Sequence, residues 1–198
     1  MKTRTKALLL TLCAALLVCA TVLATMAFLT ATDSVKNTFT VGNVAITLDE
    51  AKVTDAGSVI PNESRVDENT YRLIPGHTYT KDPTITVATE SEDCYLFVKV
   101  ENAIANALIS SDTATEKTIA TQMTENGWIP LTEGSNIYYQ AAAKEAGKTA
   151  VVFNDFTVSS DATDLSAYDG KTIIVTAYAV QADGFTSAAD AWAAANLE

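Results

Sequence analysis

The 198-residue chain carries 24 acidic and 13 basic side chains, a net charge of −11, and 48% of its residues are hydrophobic. That acidity excludes a nucleic-acid binder, which needs a basic face, and a protein that docks on anionic lipid. A single histidine excludes every multi-histidine metal site, H-E-x-x-H zinc proteases included.

The chain opens on a basic head, Lys2, Arg4 and Lys6, followed by Ala7–Leu29 without a charge. A basic head, an apolar segment and a small-residue exit form a secretory signal. Thr25 and Ala27 occupy positions −3 and −1 of a cut before Phe28, and Leu29-Thr30-Ala31 is a weaker second site. The expected organisation is a signal peptide over 1–27 and a single domain over 28–198. The alternative is an uncleaved anchor, since the apolar stretch is long enough to span a bilayer. Cys13 and Cys19 read as apolar residues of this run, because Leu12 and Val18 stand where lipidation wants a small residue. The head holds three basic residues and no acid, so removal of 1–27 leaves 10 basic against 24 acidic side chains, a net charge of −14. Cys94 is then the one remaining cysteine. The mature domain has no internal disulfide and must rely on its apolar core.

The following pattern is mostly of period two. Val35, Asn37, Phe39 and Val41 share one face; Gly42-Asn43 breaks the phase, and Val44, Ile46 and Leu48 form the next. Asp49–Asn69 reads as a polar surface loop. Ile85–Val87 follows the stop at Pro83. In Tyr95–Glu101, the clearest strand, Leu96, Val98 and Val100 face one way and Lys99 and Glu101 the other. A second surface loop, Ile109–Glu116, precedes a short helix over Thr118–Asn126, ended by Gly127. Trp128–Leu131, Ile137–Gln140, Ala150–Phe153 and Phe156–Val158 are shorter strands. Thr172–Gln181 is β-branched and nearly uncharged, which predicts a central strand covered on both faces. Ser187–Ala195 predicts a helix capped by Ser187, with Trp192 anchoring it to the core. Many short strands with few helices point to an antiparallel sandwich or a jelly roll.

Candidate chemistry is sparse. His77 sits in Pro75-Gly76-His77-Thr78 and reads as a surface turn residue; no G-x-S-x-G accompanies it. Asp161, Asp164 and Asp169, and Glu90, Glu92 and Asp93, lack the alternating spacing of a calcium loop and read as solvated acidic loops. Cys94 reads as a half-buried apolar residue, since Glu92 and Asp93 disfavour a reactive thiolate. Asn62-Glu63-Ser64 matches a glycosylation triplet that matters only in a eukaryotic secretory pathway. No catalytic, cofactor-binding or metal-binding residue is expected, and no enzymatic activity.

The junction Thr25-Met26-Ala27-Phe28, then Asp33-Ser34 and Asn37–Leu48, resembles the start of the TasA/camelysin family of Gram-positive proteins, exported with a SipW-type signal peptidase. Ile74-Pro75-Gly76 with Lys81-Asp82-Pro83, Tyr95–Glu101, and Tyr178–Phe185 with Ala191-Trp192 are similar to later parts of such proteins. Ala103–Gly147 resembles nothing in the family. The resemblance implies a jelly-roll domain; with the segments read above, the expected fold is an all-β antiparallel sandwich of jelly-roll type with one or two short peripheral helices, preceded by a hydrophobic signal helix. It also implies a fibre-forming subunit of the biofilm matrix or cell surface, whose segment Phe28–Val41, with Val35, Asn37, Phe39 and Val41, donates a strand to the next subunit. The expected partners are other copies of the chain, the signal peptidase during export, and other matrix or cell-wall components; a membrane is met only through an uncleaved signal. A secreted sandwich that binds a glycan or protein is the alternative, favoured if Tyr138, Tyr139 and Trp128 cluster on a concave face. A camelysin-like protease is the third reading, and no residue motif supports it.

Overall fold

A computed structural model describes residues 42–196, together with 3, 6–8 and 10–17. The chain divides into two units, residues 1–40 and 41–198. In the first unit residues 10–17 are helical (α1), and Leu10, Leu12, Leu16 and Leu17 are each more than half exposed. Among the described residues no helix is long and apolar enough to cross a membrane. The cleavage residues Thr25, Ala27 and Phe28 and the expected donor strand, with Val35, Asn37, Phe39 and Val41, lie outside the described residues.

The second unit is mostly β, with three antiparallel sheets and few short helices. One sheet has the order β1 (Ile46–Asp49), β3 (Thr84–Val87), β7 (Thr149–Val151). The largest runs β5 (Trp128–Pro130), β6 (Ile137–Gln140), β4 (Cys94–Asn102), β9 (Ile173–Gln181). The third pairs β2 (Thr78–Thr80) with β8 (Asp155–Thr157). Two α-helices, α2 (Ile119–Glu125) and α3 (Ala188–Ala195), and two short 3-10 helices, Ala105–Ala107 and Ser166–Tyr168, complete its described elements.

Alternation explains how the sheets meet. In β3, Ile85 and Val87 are fully buried while Thr84 and Thr86 are half exposed, the signature of a strand with one face in a core. Those two residues share a cluster with Leu96 and Val98 of β4, Trp128, Met123, Val152 and Phe153. Burial of each such aliphatic or aromatic side chain stabilises the fold by roughly 1.5–3 kcal/mol. The other face of β4 presents Tyr95 and Phe97, which pack with Ala188, Ala191 and Trp192 of α3. The central strand is therefore buried on both faces.

The helix ends follow their capping residues. Ser187 accepts a hydrogen bond from the Asp190 backbone N–H at 3.2 Å, and Asn196 closes α3 in the left-handed region. Thr118 caps α2 in the same way through the Thr121 N–H, and Gly127, at φ +83, stops it. Trp192 does anchor α3, with its ring 4.8 Å from Phe97 and 5.6 Å from Tyr178. It does so on the α3-covered face of the four-stranded sheet, not in the main core.

Three expectations are corrected. Thr172–Gln181 is not a central strand: β9 stands at the sheet edge, and β4 takes the centre. Its uncharged composition reflects two covered faces, since Val175, Ala177 and Ala179 join the main core and Tyr178 and Val180 pack with the α3 cluster. Two covered faces and two strand neighbours leave the same mark on a sequence. Asp49–Asn69 is not a simple surface loop. Isolated bridges pair Glu50 with Val66 and Val53 with Val59, and Glu50 and Val53 are buried. Arg65 donates to both Asp49 and Asp82 carboxylates and to the Thr84 hydroxyl. Finally, the turn read over Pro75–Thr78 ends at Gly76, whose φ is +72, and Thr78 already begins the strand Thr78–Thr80. Ile109–Glu116 is largely exposed, as a surface loop should be.

Candidate functional site

A groove of about 990 Å³ opens where the end of β1 meets the start of β9. Leu48–Glu50, Ile173–Val175, and the segments 67–73 and 165–172 line it. Two of its lining residues, Tyr71 and Phe156, belong to an aromatic cluster with the fully buried Tyr79. The Tyr71 ring stands edge-on to Phe156 at 5.3 Å and to Tyr79 at 5.8 Å, while Tyr79 stacks on Phe156 at 5.1 Å. Such pairs add about 0.5–1.5 kcal/mol each beyond their burial. Burial, reinforced by the charge of Glu50, pushes the Tyr71 phenol well above its ordinary range. It stays neutral and donates to the Thr80 carbonyl at 3.1 Å.

The groove wall also holds a buried polar cluster. Glu50 is 3% exposed, and the Lys81 Nζ lies 2.6 Å from its Oε2. Asn69 Nδ2 donates to the other oxygen, Oε1, at 3.0 Å and to the Ala51 carbonyl at 2.8 Å. The Asn69 Oδ1 accepts from the Val53 backbone N–H at 3.0 Å. Every polar atom of Asn69 thus has a partner of the right kind, which fixes the orientation of its amide.

The two edges of the four-stranded sheet differ. The β5 edge is three residues long and ends in Pro130, which has no N–H to offer. The β9 edge is nine residues long and carries neither proline nor a charged residue. No strand among the described residues pairs with its outer side. Ile174, at the groove, is half exposed. Long, uncharged edges of this kind are templates for another strand.

The residues singled out from sequence are not brought together. His77 is half-buried rather than a free surface residue: its Nε2 donates to the Ala56 carbonyl at 2.9 Å, and its ring packs edge-on to Tyr79 at 4.6 Å. Cys94 is fully buried in the main core, and burial pushes its thiol up. Among the described residues no three histidines, cysteines or carboxylates converge on a metal position. The Asp164 carboxyl is held below its usual range by hydrogen bonds from Ser166, a local turn. Asn62 adopts a left-handed backbone in an exposed turn.

The aromatic platform expected of a binding module is absent at the named residues. Trp128 is 1% exposed and donates its indole N–H to the Val151 carbonyl at 2.8 Å. Tyr138 and Tyr139 pack into clusters on opposite faces of β6. The groove and the Glu50–Asn69–Lys81 cluster were not foreseen, because they join residues from separated segments. No family model, curated protein or solved structure matches the chain.

Proposed function

We propose that this protein is an exported structural subunit of the cell surface or biofilm matrix, built as a jelly-roll sandwich and assembling by strand donation. The observation that carries the proposal is the outer edge of β9 beside the groove, with which no strand among the described residues pairs. The occupant is the segment Phe28–Val41 of a second copy. Val35–Val41 has the alternation of a strand, and at about 3.3 Å per residue the 14 residues exceed the length of β9. A strand added there would satisfy backbone groups and set Phe39 or Val41 into the apolar part of the groove. Residues 43–45 are held by the turn after β3: Asn43 and Ala45 carbonyls accept from Glu92 and Ala88, and Ala45 N–H donates to Ser91. The preceding segment is thereby tethered at its root.

The acidity supplies a control. A net charge of −14 repels stacked copies at neutral pH and low salt. Screening shortens the reach of that repulsion from about 30 Å at 0.01 M to about 10 Å at 0.1 M. Light scattering and electron microscopy across a salt and pH series form the test. Wild type should assemble more readily in salt or mild acid. Phe39→Asp should fail by placing a charge where an apolar contact is required, and Ile174→Lys by charging the receiving edge. A wild type that remains monomeric throughout would overturn strand donation and favour a secreted binding module. Assembly of Ile174→Lys at the wild-type rate would rule out the β9 edge.

A further inference from the structure

We propose that Lys81 and Asn69 form an intramolecular isopeptide bond, with Glu50 as the proton carrier. The cluster holds the three parts that this reaction needs, each on a separate atom. Lys81 Nζ, the nucleophile, lies on Glu50 Oε2 at 2.6 Å. Asn69 Nδ2, the leaving group, lies on Glu50 Oε1 at 3.0 Å. Asn69 Oδ1, where negative charge develops, already accepts the Val53 N–H at 3.0 Å. One carboxylate therefore bridges amine and amide, and a backbone donor polarises the carbonyl. The side chains of Lys81 and Glu50 are only 12% and 4% exposed, so water competes poorly with the amine.

The step balances without an added reagent. Glu50 takes a proton from the Lys81 ammonium, and the freed amine attacks Asn69 Cγ. The tetrahedral centre places its charge on Oδ1, facing Val53. Glu50 returns the proton to Nδ2, the Cγ–Nδ2 bond breaks, Glu50 relays the second Nζ proton to the departing ammonia, and ammonium leaves through the adjacent groove. The product is an Nζ–Cγ amide, and Glu50 ends as a carboxylate. No oxidation or reduction occurs. The link would fix the groove wall to the strand pair β2–β8 and close a 13-residue ring, 69–81.

A buried Lys–Glu pair also suits a purely structural role, at a cost in desolvation. Mass spectrometry separates the two. The purified full chain should be about 17 Da lighter than its sequence, the mass of one ammonia expelled by the attacking amine. Digestion should release a branched peptide joining Asn69 to Lys81. Glu50→Ala retains both reacting groups and should restore the full mass, as should Lys81→Arg, with folding checked by circular dichroism. Cyclisation of Asn69 onto its own backbone would give the same mass loss, but it would persist in Lys81→Arg and yield no branch. Folded wild type at full mass, or a mass loss that survives Lys81→Arg, overturns the proposal. Both results are independent of whether the protein forms fibres.

Discussion

Gly57 packs its backbone against Tyr79 of β2, and replacing it by alanine measures that contact. Its φ is +78, and an added Cβ would stand 2.7 Å from Tyr79 Cα and 2.9 Å from Tyr79 Cβ. Tyr79 is fully buried and hydrogen-bonded, donating to the Arg72 carbonyl at 2.6 Å, so it has little room to retreat. The Gly57 carbonyl meanwhile accepts the Thr80 N–H at 3.1 Å, which prevents the loop from sliding away. Two costs add: about 1–2 kcal/mol for a left-handed residue with a Cβ, and about 1–3 kcal/mol for overpacking. Gly170 provides the control, since its φ is +68 and nothing lies within 4 Å of its Cβ position. Gly170→Ala should show the backbone cost alone. Urea denaturation reads the difference. With a slope of about 2 kcal/mol per molar, Gly57→Ala should lower the midpoint by about 1–2.5 M and Gly170→Ala by about 0.5–1 M. Equal shifts for the two variants would refute the close approach of Gly57 to β2.

Trp192→Ala should remove the ring that rests on Phe97 and Tyr178. A loss of about 2–4 kcal/mol and a weaker near-ultraviolet signal are expected, and a loss under about 1 kcal/mol would show that α3 is not anchored there. Ser187→Ala should raise the Asp190 carboxyl, which hydrogen bonds from Ser187 and then Thr186 hold below its usual range. A depressed carboxyl stabilises the fold above its unfolded pKa, and that contribution fades as pH falls through the folded value. The Asp190-linked difference between wild type and variant should therefore shrink in acid, and NMR titration of Asp190 should show the upward shift directly.

The local rules were legible in the sequence. Alternation located β4, the stop at Pro83 located β3, and the serine ahead of the alanine-rich run located the cap Ser187. What failed was placement. Nothing in Ile173–Gln181 distinguishes an edge strand covered by α3 from a central one, because α3 arrives only after it in the chain. Arg65 reads as a loop charge until Asp49 and Asp82, 16 and 17 residues away, are seen on either side of it. The groove depends on β1 and β9 meeting, and β2 is too short to leave a period.

The order in which the sheet is built has a kinetic consequence. Cys94 pairs with Gln181 and Asn102 with Ile173, partners 87 and 71 residues apart. Contacts of such long separation close slowly, because the intervening chain must be ordered first. Until residues 173–195 follow, β4 has only β6 at its side, and Tyr95 and Phe97 have no helix over them. A growing chain therefore passes through a long interval in which the strand that buries most residues lacks its largest partner. That interval exposes the same strand to aggregation and proteolysis until the last segments arrive.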